Sequence, residues 1–194
     1  MVTNLKLKDG NILATRKRAI NMINESETLT HKCIIARHLL TPESLKILEV
    51  VIREDLNLEK PEDFNSGDGT KNKINYEIKI SVHGQQSKMN FVQIRPWHAV
   101  DYYIFIGYDM YANKTIGKAY IFKVPANTVA NMIVQYGGYA HGSIKEYGSI
   151  TLDSIKKNRY KYALRPWPRG SHGKAVNCWK NLLLYETTYD AENF

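Results

Sequence analysis

The stretch that decides the fold reads SGDGTKNKINYEIKIS, residues 66–81. From residue 75 it alternates: Tyr76, Ile78, Ile80 and Val82 form one set, and Asn75, Glu77, Lys79 and Ser81 the other. Successive side chains of a strand point to opposite faces, so one face is apolar and the other carries Glu77 and Lys79 side by side. Asp68 precedes Glu77 by nine residues, and it reaches the same place if its own short segment pairs with the strand across the TKNKIN turn.

A carboxylate beside an ammonium has two readings. One is an exposed sheet edge whose outer face pairs Glu with Lys for solubility. The other is chemical: two carboxylates hold Mg²⁺, a hard ion that prefers oxygen ligands, while a lysine orients or helps deprotonate a water attacking a phosphodiester. On spacing alone the surface pair is the stronger reading, because an E-x-K triplet is too short to decide a function.

Outward from this strand the pattern gives a mixed chain. Upstream, TPESLKILEVVIREDLNL begins with Thr41 as N-cap and Pro42 at the first helical position, and it sets Leu45, Leu48, Val51 and Ile52 on one stripe; this predicts a helix over 42–55. Residues 14–25 carry Ile20 and Ile23 at helical spacing and predict a short N-terminal helix. Pro61, Gly67 and Gly69 make 57–70 a loop, with Phe64 turned inward. Downstream, 90–95 alternates, 102–108 is apolar on both faces as a central strand requires, and 117–124 returns after YANKT as the second arm of a hairpin. PANTVANMIVQYGG predicts a helix opened by Pro125, with Val129, Ile133 and Val134 inward and Gly137 and Gly138 as its stop. After a polar loop and a basic loop, KAVNCWKNLLLYE predicts a last amphipathic helix with Val176, Trp179, Leu182 and Leu183 inward. The order predicts an α/β layer fold.

The totals suit one domain, 1–194. The chain has 194 residues, 43% of them hydrophobic and 24% charged, which is ordinary for a globular protein. It has no apolar run of about 18 residues that could span a bilayer, and MVTNLKLKDGNILATRKR lacks the apolar stretch of a secretory signal, so a cytoplasmic protein is expected. Cys33 and Cys178 lie far apart without metal-ligand spacing and are expected in the core. The net charge of +8 favours polyanionic partners. KKNRYKYALRPWPRGSHGK (156–174) mixes four Lys and three Arg with two Tyr and one Trp, a composition suited equally to phosphate contacts with stacking and to a solvated loop.

The core motif GDG…YEIKIS resembles the D-(x)n-E-x-K signature of the PD-(D/E)XK nuclease superfamily, type II restriction endonucleases in particular. FVQIRPWHAVDYYIFIGYD after the E-x-K strand and YALRPWPRG…CWKNLL near the C-terminus are similar to segments of such enzymes. The resemblance covers roughly 41–124, with a weaker C-terminal echo. It implies a restriction-endonuclease-like mixed β-sheet core flanked by α-helices, a catalytic core of about 41–135 and a DNA-contacting segment of about 145–194. It further implies Mg²⁺-dependent hydrolysis of DNA phosphodiesters to 5′-phosphate and 3′-hydroxyl ends. Carried over, Asp68 and Glu77 become metal ligands, Lys79 the catalytic lysine and Glu49, on the 42–55 helix, the accessory acid. Gly67 stands where the superfamily's name has proline, and Asp63 rivals Asp68 as first acid.

Several other residues remain candidates. Gln93 and Arg95 alternate on one face of FVQIRP and suit groove contacts, unless Arg95 is paired with Asp101. Trp97, His98 and Asp101 are expected to fix the following turn, His98 as a hydrogen-bonded turn residue before a catalytic base. His83 lies near Lys79, but no clustered partner supports a histidine-based nuclease, and YGGYAHGS lacks a phosphate-loop lysine. Lys156, Lys157, Arg159, Arg165 and Arg169 are the candidates for gripping duplex DNA. The expected activity is therefore that of a Mg²⁺-dependent DNA endonuclease, most simply a sequence-specific restriction enzyme cutting two strands as a homodimer. The alternatives are a structure-selective, repair or mobile-element nuclease of the same fold, or a DNA-binding protein that does not cleave.

Overall fold

A computed structural model describes residues 17–18, 20–39, 42–82, 88–112 and 116–194; the Thr41 cap and His83 lie outside the described residues. Residues 20–24 are helical, as the Ile20/Ile23 spacing predicts. Helix α1 (Leu29–His38), which the sequence reading did not anticipate, starts where the Thr28 side chain accepts from the His31 N–H. It buries Leu29, Cys33 and Ala36, one residue per turn, on a single side. Helix α2 (Pro42–Asp55) follows and buries Leu48, Val51 and Ile52, with Leu45 half-buried.

Strands β1 (Gly69–Lys71) and β2 (Ile74–Ser81) form an antiparallel hairpin in which Lys71 faces Ile74. The two loop residues, Asn72 and Lys73, have φ of 52° and 66°. Positive φ at both loop positions is the geometry whose twist matches that of the flanking strands. After β3 (Phe91–Ile94), strand β4 (Tyr102–Asp109) lies parallel to β2, Glu77 beside Tyr103 and Lys79 beside Phe105. Strand β5 (Lys118–Pro125) then closes an antiparallel hairpin with β4, giving a mixed sheet in the order β1-β2-β4-β5.

The chain continues through helix α3 (Ala126–Tyr136), strand β6 (Gly138–Tyr139), and short helices α4 (Ile144–Tyr147) and α5 (Leu152–Lys157). Strand β7 (Tyr162–Leu164) and helix α6 (Lys174–Leu183) complete it. β3, β7 and β6 make a second sheet in the order β3-β7-β6. The expected basic loop is thus partly a buried strand: Tyr162, Ala163 and Leu164 are at most 1% exposed, while the charges flank them. Gly137 stops α3 in extended backbone, φ −80°, and not by a left-handed turn. What demands glycine there is space, since a Cβ would meet the Ile133 carbonyl oxygen at 2.7 Å.

Two apolar clusters cover the two faces of the mixed sheet. On one, Tyr76, Ile78, Ile104 and Ile106 pack against α1 and α2; on the other, Tyr103, Phe105, Phe122 and Val124 meet the second sheet, α3 and α6. Cys33 and Cys178 are free and buried in these clusters, as expected. Three predicted inward residues prove exposed: Phe64 at 74%, Leu183 at 38% and Val134 at 36%. No helix of the described residues is long and apolar enough to cross a membrane.

Candidate active site

β2 has a neighbour on each side, β1 and β4, so it is an interior strand. This removes the exposed-edge account of Glu77 and Lys79. The Glu77 side chain is 1% exposed and that of Lys79 13%, and their charged atoms stand 2.6 Å apart. Taking a carboxylate out of water costs several kcal/mol unless partners offset it, so this is no solvated surface pair.

The hairpin brings the first acid to the second. The Asp68 N–H donates to the Tyr76 carbonyl at 2.8 Å, and Asp68 Oδ2 accepts from the Ile78 N–H at 2.8 Å. These bonds hold its carboxylate 3.8 Å from Lys79 Nζ. Gly67 makes the approach possible, because at φ +85° a Cβ would lie 2.4 Å from the Tyr76 carbonyl oxygen. Asp63, the rival acid, is exposed and spends Oδ1 on the Asn65 backbone N–H, capping a short 3₁₀ turn over 64–66. Among the described acids it is Asp68 that meets Lys79 together with Glu77.

Glu77 has a third partner that spacing did not reveal. His98 Nδ1 lies 3.2 Å from Glu77 Oε2, and the ring is buried. His98 also belongs to the turn, as expected, its N–H donating to the Arg95 carbonyl. Glu77 Oε1 faces the Lys79 ammonium, yet no donor is aligned on it as a hydrogen bond. Asp101 supports the strand instead of Arg95: its Oδ2 accepts from the Asn75 N–H at 2.8 Å at the start of β2.

Glu49 enters from α2. It lines, with Arg53, Lys60, Asp63, Phe64, Gly67 and Asp68, a cavity of about 340 Å³. Burial, then the charge of Asp68 and that of Glu77, push its carboxyl up from 4.5 to about 7, against the opposing pull of Lys79 and Arg53. Asp68 is raised in the same sense, by burial first and by Glu77, while Lys79, the Ile78 N–H and Arg95 pull it down. The Tyr103 hydroxyl, buried beside Glu77, is raised as well, and it donates to the Arg95 carbonyl. Burial thus leads all three shifts, and the neighbouring carboxylates add to it. Among the described residues, no group of three or more His, Cys, Asp or Glu side chains stands gathered to hold a metal ion. The oxygen donors that converge are Asp68 and Glu77, and the atom they share is a cation, Lys79 Nζ.

The remaining sequence candidates are dispersed. A bulge interrupts β3 between Phe91 and Ile94, and Gln93 sits there at φ 58°, which breaks the simple alternation with Arg95. Gln93 Nε2 meets His141 Nε2 at 2.8 Å, on the second sheet's side. Arg95 stands over the Phe64 ring at 5.8 Å, near enough for its charge to act on Asp68. Lys156, Lys157, Arg159 and Arg165 are exposed around α5 and β7, and Arg169 is tied to Asp109 at 3.3 Å. Among the described residues, no hydrogen bond or ion pair joins these five to Asp68, Glu77 or Lys79. Arg53 and Lys60, cations on the cavity wall, were not singled out; Arg53 follows Glu49 by one helical turn, a spacing readable from sequence. No protein-family model matches the chain, and neither does any curated protein or solved structure.

Proposed function

We propose that the protein is a Mg²⁺-dependent DNA endonuclease with a restriction-endonuclease-like core, sequence-specific and cutting both strands as a homodimer. The observation that carries this is the Glu77 carboxylate, 1% exposed on an interior strand, converging with Asp68 on one ammonium. Asp68 and Glu77 fit a hard divalent cation by their chemistry, since both offer carboxylate oxygens and Glu77 Oε1 is buried without an aligned donor. When bound there, Mg²⁺ supplies Lewis-acid charge against the negative charge that grows on the phosphoryl oxygens.

The chain's own residues do the rest. Lys79 Nζ, freed from neutralising the carboxylates, holds the attacking water and favours its loss of a proton. His98 and the Ile78 N–H fix the two carboxylates so that little reorganisation is needed. Glu49, raised to about 7, suits proton transfer near neutral pH. Arg53 and Lys60 on the cavity wall offset the charge of the nucleic-acid backbone. The exposed basic residues around β7 supply further phosphate contacts.

A supercoiled-plasmid assay with and without Mg²⁺ tests this. Wild type should linearise the plasmid only with the metal, and Glu77→Ala and Lys79→Ala should each cut at least about 100-fold more slowly. Wild type that binds DNA and shows no metal-dependent cutting would sink the enzyme and leave a DNA-binding protein. Mapping the cut ends separates a fixed recognition sequence from branch-dependent cutting.

A further inference from the structure

Phe64 is the most exposed phenylalanine of the described residues, at 74%, and it stands on the wall of the cavity that holds Asp68 and Glu49. A ring so open could be an accident of a slack loop, but this loop is tied on every side. Asp63 caps the turn through the Asn65 N–H, the Ala99 N–H donates to the Asn65 carbonyl at 2.7 Å, and Gly67 takes a backbone conformation in which a Cβ would strike Tyr76. The ring therefore projects because the surrounding backbone places it.

Its neighbours narrow what it can meet. Arg95 lies over the ring with Cζ 5.8 Å from the centroid, and His98, the partner of Glu77, meets it edge to face at 5.6 Å. The cavity beside it has carboxylates at Glu49, Glu62, Asp63 and Asp68 and cations at Arg53 and Lys60. With a divalent cation at Asp68 and Glu77 to offset the acids, a ligand suited to this wall has an anionic backbone for Arg53 and Lys60 and a flat, weakly polar face for the ring. Nucleic acid presents both, with the base next to each phosphate.

We propose that Phe64, backed by Arg95, stacks on an unstacked nucleobase adjoining the phosphodiester bound at Asp68 and Glu77. The proposal rests on the nuclease reading for the location of that phosphodiester, though the stacking contact itself needs only DNA that offers an unstacked base. Its consequence is that affinity depends on an aromatic ring at position 64 and not on apolar bulk alone.

Two variants separate ring from bulk: Phe64→Leu and Phe64→Trp. Binding of a fluorescein-labelled random-sequence 30-mer duplex with a short central unpaired bubble is followed by anisotropy in Ca²⁺, and plasmid cutting is followed in Mg²⁺. Phe64→Leu should weaken duplex binding about 10-fold, while Phe64→Trp stays within about 2-fold of wild type. Thermal melting should be the same for all three proteins, since the side chain is exposed. Leucine binding as tightly as phenylalanine overturns the inference, as do equal losses in both variants. If wild type binds but does not cut, and the leucine variant binds more weakly, stacking stands and the nuclease assignment falls. If wild type binds no DNA, both fall together.

Discussion

Replacing Glu49 by glutamine measures how starved of positive charge the cleft is. Burial and the charges of Asp68 and Glu77 hold the Glu49 carboxyl up at about 7, against 4.5 ordinarily, despite Lys79 and Arg53. The folded protein thus keeps a proton that the unfolded chain has already released. Between pH 4.5 and 7 the native state binds more protons than the unfolded one, so this group's contribution to stability falls as pH rises. One unit of displacement is worth about 1.36 kcal/mol, so by pH 8 the deficit amounts to about 3 kcal/mol. Urea denaturation of metal-free wild type and Glu49→Gln across pH 4.5 to 8 should show the two curves separating. The variant gains about 3 kcal/mol relative to wild type over that range, because glutamine cannot ionise. Asp68 is raised in the same direction and its charge acts on Glu49, so glutamine also relieves Asp68 and the difference between the curves reports the two acids together. Saturating Mg²⁺ should shrink the separation by supplying the missing charge. Parallel curves without metal would refute the reasoning, for they would mean that Glu49 ionises in the cleft as freely as in water.

Two further substitutions probe how the carboxylates are held. His98→Ala removes a partner from the buried Glu77 carboxylate and should cost about 2 kcal/mol, read as a lower urea midpoint; an unchanged midpoint would show that the 3.2 Å contact contributes nothing. Gly67→Ala puts a Cβ 2.4 Å from the Tyr76 carbonyl oxygen at a φ of +85°, and should cost about 3 kcal/mol while dislodging Asp68, seen as weakened calorimetric Mg²⁺ binding with wild-type helicity.

Much of the sheet was legible because its elements obey local rules. β2 alternates, β4 is apolar on both faces, and the β1–β2 hairpin falls where the spacing of Asp68 and Glu77 allows it. What the spacing could not give is depth. Alternation put Glu77 and Lys79 on one face, but whether that face meets water depends on β4, which pairs with β2 from more than twenty residues away. The contact of His98 with Glu77 was invisible for the same reason: the sequence offered His98 as a turn residue before a catalytic base, and a turn between strands determines where its ring points. Phe64 was misread because an apolar residue in a loop is ordinarily turned inward, whereas here Asp63, Asn65 and Gly67 fix the backbone so that it faces out. The basic 156–174 segment was misread in part because composition counts charges and overlooks Tyr162–Leu164, whose apolar run fills a gap between β3 and β6.

The position of Glu77 argues most directly for chemistry over architecture. Beside Tyr103, on a strand packed on both faces, leucine or methionine would fill the space without the desolvation that a carboxylate incurs, and such replacements of buried ion pairs are often neutral or stabilising. The chain instead places an acid there and surrounds it with Lys79, His98 and, across the hairpin, Asp68. Two of these four groups are acids sharing a single ammonium, and the third acid, Glu49, held up first by burial and then by the charges of Asp68 and Glu77, keeps its proton to about pH 7. Proton and divalent cation are then competitors for one deficit of charge. As pH falls below 7, protonated Glu49 leaves less negative charge to attract Mg²⁺, and the upward shift of Asp68 acts in the same sense, so an enzyme built on this cleft should bind its metal more weakly in acid and reach full activity only on the alkaline side of neutrality.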